Sequence, residues 1–273
     1  MSTGGQKQIE MPGTSLQARL EAYKAVFEGG TPPFNARRPV IEILRRATAA
    51  LVASGAVWRA LKAGDIAPSF VLNDPDGNAV LSEDLLLAGP LVVQFFRGGW
   101  CPFCKMELQA LQAALPSFRK LGAALIAISP QNAAHSRKSA RDNKLDFPIL
   151  SDPRNSIAAA FGVRFELPDE LIALYKDLHN DLPAINGDNS WTLPMPARFV
   201  IGCDRVIRYA EINPDYTRRP NPEDLVPVLR SLNASTVRWE TANSRRIQRT
   251  STRVAVRPSW QTAVSSTSRR NPC

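Results

Sequence analysis

Histidine is nearly absent from this 273-residue chain, two residues in all, and cysteine stops at four. Structural zinc normally takes four Cys or His ligands at short spacings. Here His135 and His179 stand alone, Cys203 is isolated and Cys273 sits at the end of the sequence, so a metal centre is not expected. Four cysteines in so long a chain also argue against a disulfide scaffold. No apolar run is long enough for a bilayer, and the first fifteen residues carry Gly, Gln, Lys and Glu but no apolar core of a signal peptide. The expectation is a globular protein of a reducing cytoplasm with no membrane partner.

Apolar residues make up 44% of the chain, ample for a core. The net charge of +9 is unevenly placed: residues 1–232 hold 26 basic and 24 acidic side chains, whereas Asn233 to Cys273 holds eight Arg against one Glu. That last stretch is rich in Ser, Thr, Asn and Gln and poor in bulky apolar residues, which predicts a flexible basic tail. Its basicity leaves a nucleic-acid or acidic-partner arm as the less favoured reading.

What is present is Gly98-Gly99-Trp100-Cys101-Pro102-Phe103-Cys104. It follows the strand-forming run Leu91 to Phe96 and precedes a helical pattern of Leu108, Leu111, Leu115 and Phe118. Pro102 fits the first helical position, which puts Cys101 at the N-cap and Cys104 near the third position, one turn apart. An N-cap sulfur faces free N–H groups and the positive end of the helix dipole, and both favour thiolate. Cys101 is therefore the candidate nucleophile and Cys104 the candidate resolving thiol. The competing readings are a pair of buried small apolar residues and a zinc site. Glu107, on the same helix, reads as a solvated charge.

Before this turn, Leu16, Leu20, Tyr23 and Phe27 predict a helix capped by Thr14 and Gln17, and a second helix is expected over about Arg38 to Leu61 with Val57 or Trp58 on its apolar face. These helices either cover the domain or form a homodimer contact; the sequence leaves both open. Phe70 to Leu72 and Ala79 to Leu81 flank turn residues and predict a hairpin. Ala124 to Ile128 predicts a buried strand completing a parallel β-α-β unit. Further on, helices are expected near Ala133–Lys144, through Ile157 and Phe161, and over Pro168–Leu178, then a loop at Asp181–Trp191, a hairpin around Gly202-Cys203-Asp204-Arg205, and a last helix over Pro222–Leu232.

The turn Phe95 to Cys104 resembles the active-site turn of the thioredoxin superfamily and, more narrowly, the peroxiredoxin-like branch of the alkyl hydroperoxide reductase C and thiol-specific antioxidant family. Supporting matches are Gly64-Asp65-Ile66-Ala67-Pro68, Ile128-Ser129-Pro130-Gln131, Phe147 to Asp152, and Pro196 to Ile201, in the expected order over residues 64–232. The resemblance implies an α/β thioredoxin-like fold, a central mixed sheet flanked by helices, with residues 1–63 as a helical extension and 233–273 as the tail. It also implies a cis peptide at Pro196 facing the active cysteine. Three family marks are missing: Gly98 replaces the signature threonine, Gln94 the signature proline, and Pro196 stands where an arginine is expected. Arg97 and Arg198 are the candidates to supply a guanidinium instead.

The resulting expectation is a thiol peroxidase. Cys101 reduces hydrogen peroxide or an organic hydroperoxide, Cys104 closes a disulfide, and a thioredoxin-like or glutathione-like thiol donor reopens it, with Trp100, Pro102, Pro196, Arg97 and Arg198 supporting. No metal or organic cofactor is required. A general thiol-disulfide oxidoreductase acting on protein disulfides is the alternative, and a non-catalytic binding module using the basic tail is the third reading.

Overall fold

The structure, a computed structural model, describes residues 15–232. The Arg-rich tail, Cys273 and Thr14 lie outside the described residues. In chain order the first half contains α1 (Leu16–Glu28), α2 (Arg38–Ala53), β1 (Val71–Asn73), β2 (Ala79–Leu81), α3 (Ser82–Ala88), β3 (Leu91–Phe95), α4 (Pro102–Lys120) and β4 (Ala124–Ser129). The second half contains α5 (Ala133–Asp142), β5 (Ile149–Ser151), α6 (Ser156–Ala160), β6 (Arg164–Glu166), α7 (Asp169–Asp177), α8 (Leu182–Asn186), β7 (Thr192–Pro194), β8 (Ala197–Ile201) and β9 (Ile207–Ile212). A final helix, α9, covers residues 225–232.

Seven strands form one mixed sheet in the order β2-β1-β5-β4-β3-β8-β9. β3 pairs parallel with β4 and antiparallel with β8, so Phe95 lies beside both Ile128 and Ala197. Every residue of β3 is buried, which is why it reads as a continuous rather than an alternating apolar run. On one face of the sheet, Val92 and Leu125 pack with Leu108, Leu111, Leu115 and Phe118 of α4. On the other, Phe95, Phe161 and Phe199 stack at centroid distances of 5.1, 6.0 and 5.0 Å.

The N-terminal helices pack against the rest of the chain. Leu16 and Leu20 of α1 join the α4 core, and Tyr23 sets its ring edge on Phe103 at 5.3 Å. Val40 of α2 packs with Leu167, Leu171 and Leu174 around α7. α1 and α2 thus bracket the start of α4, where the two cysteines lie.

Several expectations are corrected. Ser15, not Thr14, caps α1 by accepting from the Ala18 N–H, and Gln17 instead bonds Glu21 and the Arg219 backbone. The second helix ends at Ala53, because Gly55 turns left-handed (φ 66°) and starts a separate 3-10 turn; this turn leaves Trp58 75% exposed rather than on an apolar face. The predicted loop at Asp181–Trp191 contains α8, and β6 and β7 form an antiparallel ribbon the sequence did not signal. Among the described residues the cis peptide is Pro32–Pro33, so Pro196 follows a trans bond. Met195 is buried and bonded to the Val163 carbonyl, and the Pro196 carbonyl accepts from Asn213, which holds the segment extended between β7 and β8.

Candidate active site

The site forms where β3 runs out and α4 begins. Two glycines make that turn. Gly98 has φ 149°, and a Cβ on Gly99 would sit 2.1 Å from Ser139 Oγ, while the Gly99 N–H donates to Gln131 Oε1 at 2.6 Å. Cys101 then adopts extended N-cap geometry (φ −86°, ψ 118°), Pro102 takes the first helical position and Cys104 the third. Both cysteines are free thiols and essentially inaccessible, 1% and 0% exposed. Cys203, in the β8–β9 turn, is not a free thiol.

Their environments differ in sign. Burial pushes the Cys101 thiol up, but the thiol and backbone N–H of Cys104 and the charges of Arg97 and Arg219 outweigh it, bringing Cys101 from its ordinary 9.0 down to about 6. Cys104 moves the other way. Burial, its bond to Cys101, the Cys101 charge and the Glu107 carboxylate all raise it, and Arg219 acts to lower it. The pair therefore holds one thiolate and one thiol near neutral pH.

Arg97 supplies the nearest cationic wall. It is 3% exposed, and its guanidinium carbon lies 4.2 Å from the Tyr216 ring centroid, 4.9 Å from Trp100 and 6.0 Å from Tyr175, whose hydroxyl it also bonds. Among the described residues its Nε has no hydrogen-bond partner. Arg97, Tyr175, Pro196, Pro214 and Tyr216 line a cavity of about 20 Å³ roofed by Leu44, Ala47, Thr48 and Leu51 of α2, with room for a molecule of about water's size.

Behind the cysteines lies a second charge cluster. Glu107 is 1% exposed; its Oε1 accepts from Arg198 Nη2 at 2.9 Å and its Oε2 from Arg219 Nε at 2.6 Å. Arg219 Nη2 lies 3.9 Å from Cys104 Sγ. Glu107 is thus a buried ion-pair acceptor and not the solvated charge read from the sequence, because its face of α4 points at β8. Arg198 donates to Gln94 Oε1 at 2.9 Å and to Glu107, and the guanidiniums acting on Cys101 are those of Arg97 and Arg219.

The fold brings Arg97, Trp100, Cys101, Pro102, Cys104 and Pro196 to one place and sets Arg198 a layer behind them. Sequence reasoning missed Tyr175, Arg219 and Tyr216. Tyr175 lies on α7 and the other two on the segment between β9 and α9, far along the chain from the Cys turn and inside no recognisable motif.

Residues 63–210 match the AhpC/TSA family model, more than half of the chain. The chain belongs to the AhpC/TSA family. Among curated AhpC/TSA-like relatives, it is 31% identical over 153 residues to the chloroplastic peroxiredoxin Q of Triticum aestivum, covering 55% of this chain and 68% of that protein. It is 36% identical over 104 residues to the chloroplastic peroxiredoxin Q of Oryza sativa subsp. japonica, covering 38% of this chain and 48% of that one. It is 32% identical over 103 residues to peroxiredoxin Bcp of Escherichia coli, covering 38% and 65%. The chain thus spans about half the length of the rice protein. Among solved structures, peroxidoxin BcpB from Mycobacterium tuberculosis superposes with a TM-score of 0.50 at 24% identity, over 63% of this chain and 98% of that one. A cysteine-to-serine mutant of the peroxiredoxin 6 of Arenicola marina gives 0.51 at 23% identity, over 63% and 73%. These likenesses establish the thioredoxin-like fold. Among the described residues no helix is long and apolar enough to cross a membrane.

Proposed function

We propose that this chain is a cysteine-based thiol peroxidase, with residues 64–232 as its catalytic unit and the preceding helices as its cover. One observation carries the reading: an N-cap thiol brought to about 6 lies beside a second thiol one helical turn away that stays protonated.

The Cys101 thiolate attacks the terminal oxygen of hydrogen peroxide or an organic hydroperoxide. The S–O bond forms as the O–O bond breaks, and the leaving oxygen takes a proton to become water or an alcohol. We assign Arg97, whose Nε has no hydrogen-bond partner among the described residues, to bond the peroxide and offset charge on the leaving oxygen. Cys104 sulfur then attacks the Cys101 sulfenic acid, forming the S–S bond and releasing hydroxide, which takes the Cys104 proton as water. A thioredoxin-like or glutathione-like donor supplies two electrons to reopen the disulfide. This cycle requires a reducing compartment, for which we propose the cytoplasm.

The burial of Cys101 supports peroxide over a protein disulfide as the group met by the reduced enzyme. A sulfur that is 1% exposed is reached by a molecule of a few atoms far more readily than by another chain. The test is consumption of peroxide with a dithiol donor in excess. The parent protein is expected to turn over and Cys101→Ser to be inert; equal consumption by both overturns the reading.

A further inference from the structure

Three arginines, Arg97, Arg198 and Arg219, are buried around the two sulfurs. Among the described residues, Arg97 has no carboxylate within ion-pair distance, and Arg198 and Arg219 both pair with Glu107. Glu211, half-buried opposite Arg198 across β8 and β9, adds a second carboxylate in the field of that guanidinium. Buried charges are retained only where they are paired or hydrogen-bonded, and each of the three guanidiniums meets that condition through different contacts.

Geometry shows which of them meets the resolving sulfur. Arg219 is fixed from three sides: its Nε on Glu107 at 2.6 Å, its Nη1 on the Arg218 carbonyl at 2.6 Å, and its backbone N–H on Gln17 Oε1 at 2.9 Å. This leaves Nη2 directed at Cys104 Sγ, 3.9 Å away. We infer that Arg219 is the catalytic residue of the resolving step, holding the Cys104 sulfur as a thiolate while it attacks the oxidised Cys101. The inference deepens the peroxidase reading and rests on it.

The sequence of charges follows from the same contacts. Before peroxide arrives, burial, the bond to Cys101 and the Cys101 charge keep the neighbouring thiol protonated. Transfer of oxygen turns Cys101 into a neutral sulfenic acid, and the negative charge departs with the leaving oxygen. The repulsion from Cys101 vanishes while that from Glu107 stays, and Arg219 remains beside the sulfur. Cys104 gives up its proton, its sulfur bonds to Cys101, and the Cys101 S–O bond breaks, the departing hydroxide taking that proton to leave as water. When a donor thiol later attacks Cys101 in the disulfide, the S–S bond breaks and the leaving sulfur is again Cys104, as a thiolate next to the same guanidinium. Activation of the second sulfur is thereby conditional on oxidation of the first.

Arg219→Met and Arg219→Lys test this. In Arg219→Met the Arg198–Glu107 ion pair is retained. Sulfenic acid and disulfide are followed separately by rapid quench and mass spectrometry, with a sulfenic-acid trap as a control. Arg219→Met is expected to form sulfenic acid and then close the disulfide about tenfold more slowly, with the pH midpoint of closure moved up by about one unit. It should also be over-oxidised at lower peroxide, and Arg219→Lys should recover part of the shift. Closure in Arg219→Met at the parental rate and pH dependence overturns the inference, as does identical behaviour of the Lys and Met variants, which would mark a packing role. If the parent itself forms no sulfenic acid, the peroxidase reading fails, and this inference with it.

Discussion

Glu107 of α4 and Arg198 of β8 form an ion pair at 2.9 Å in which each partner is 1% exposed. The pair ties the active-site helix to the sheet, and Arg219 extends it to the resolving sulfur. Removing one member of a buried pair is costly because the other is left uncompensated. Glu107→Gln strands two guanidiniums, and the expected loss is about 3–5 kcal/mol of unfolding free energy. Urea unfolding of the reduced protein measures it; a loss below about 1 kcal/mol would mean water or rearrangement satisfies both arginines.

The reactivity of Cys101 should follow its protonation. Its folded value is depressed to about 6, so the sulfur is a thiolate above that pH and a thiol below it. The rate of sulfenic acid formation is expected to level off above about pH 7 and to fall about tenfold per unit well below about 6. Arg97→Met removes a charge that favours the thiolate and should move the midpoint upward. Thiolate absorbance and the alkylation rate, measured against pH, check both statements; a parental midpoint near the ordinary 9.0 contradicts them.

Gly99 faces a tight wall. A Cβ there meets Ser139 Oγ at 2.1 Å and Ser139 Cβ at 3.2 Å. Gly99→Ala should cost about 1–3 kcal/mol by overpacking. Adding Ser139→Ala, which removes the closer atom, should recover much of that loss, because contacting sites couple. Additive losses in the double variant would locate the strain elsewhere.

Leu20 of α1 is fully buried in the core that holds both cysteines. Leu20→Ala should cost about 2–5 kcal/mol and raise the accessibility of Cys101 to a bulky maleimide. A variant with unchanged stability and labelling would contradict the packing of α1 on α4.

The parts of the fold that were legible in the sequence are those with a strong local reason. β3 and β4 are covered on both faces and so read as unbroken apolar runs. Pro102 at the first helical position marked the start of α4 and placed both cysteines. β6 and β7 are three residues each and pair across more than twenty residues, so their existence depends on tertiary contact alone. Glu107 shares the spacing of the buried face of α4, between Cys104 and Leu111, but a carboxylate reads as solvated there; only the arrival of Arg198 and Arg219 makes its burial tolerable. Pro196 carried a family expectation of a cis bond, and the hydrogen bonds of Met195 and Asn213 hold it trans. Arg219 carries no motif, and its role exists only because the segment after β9 folds back over α4.

Attack of Cys101 on peroxide is tested most directly by stopped-flow tryptophan fluorescence of the fully reduced protein mixed with hydrogen peroxide, alongside Cys101→Ser and Cys104→Ser. Trp100 lies next to Cys101 and under Arg97, so oxidation at the sulfur should register in its emission. A fast phase proportional to peroxide concentration is expected in the parent and in Cys104→Ser, and none in Cys101→Ser. A parent protein that reacts no faster than free cysteine would contradict the peroxidase reading.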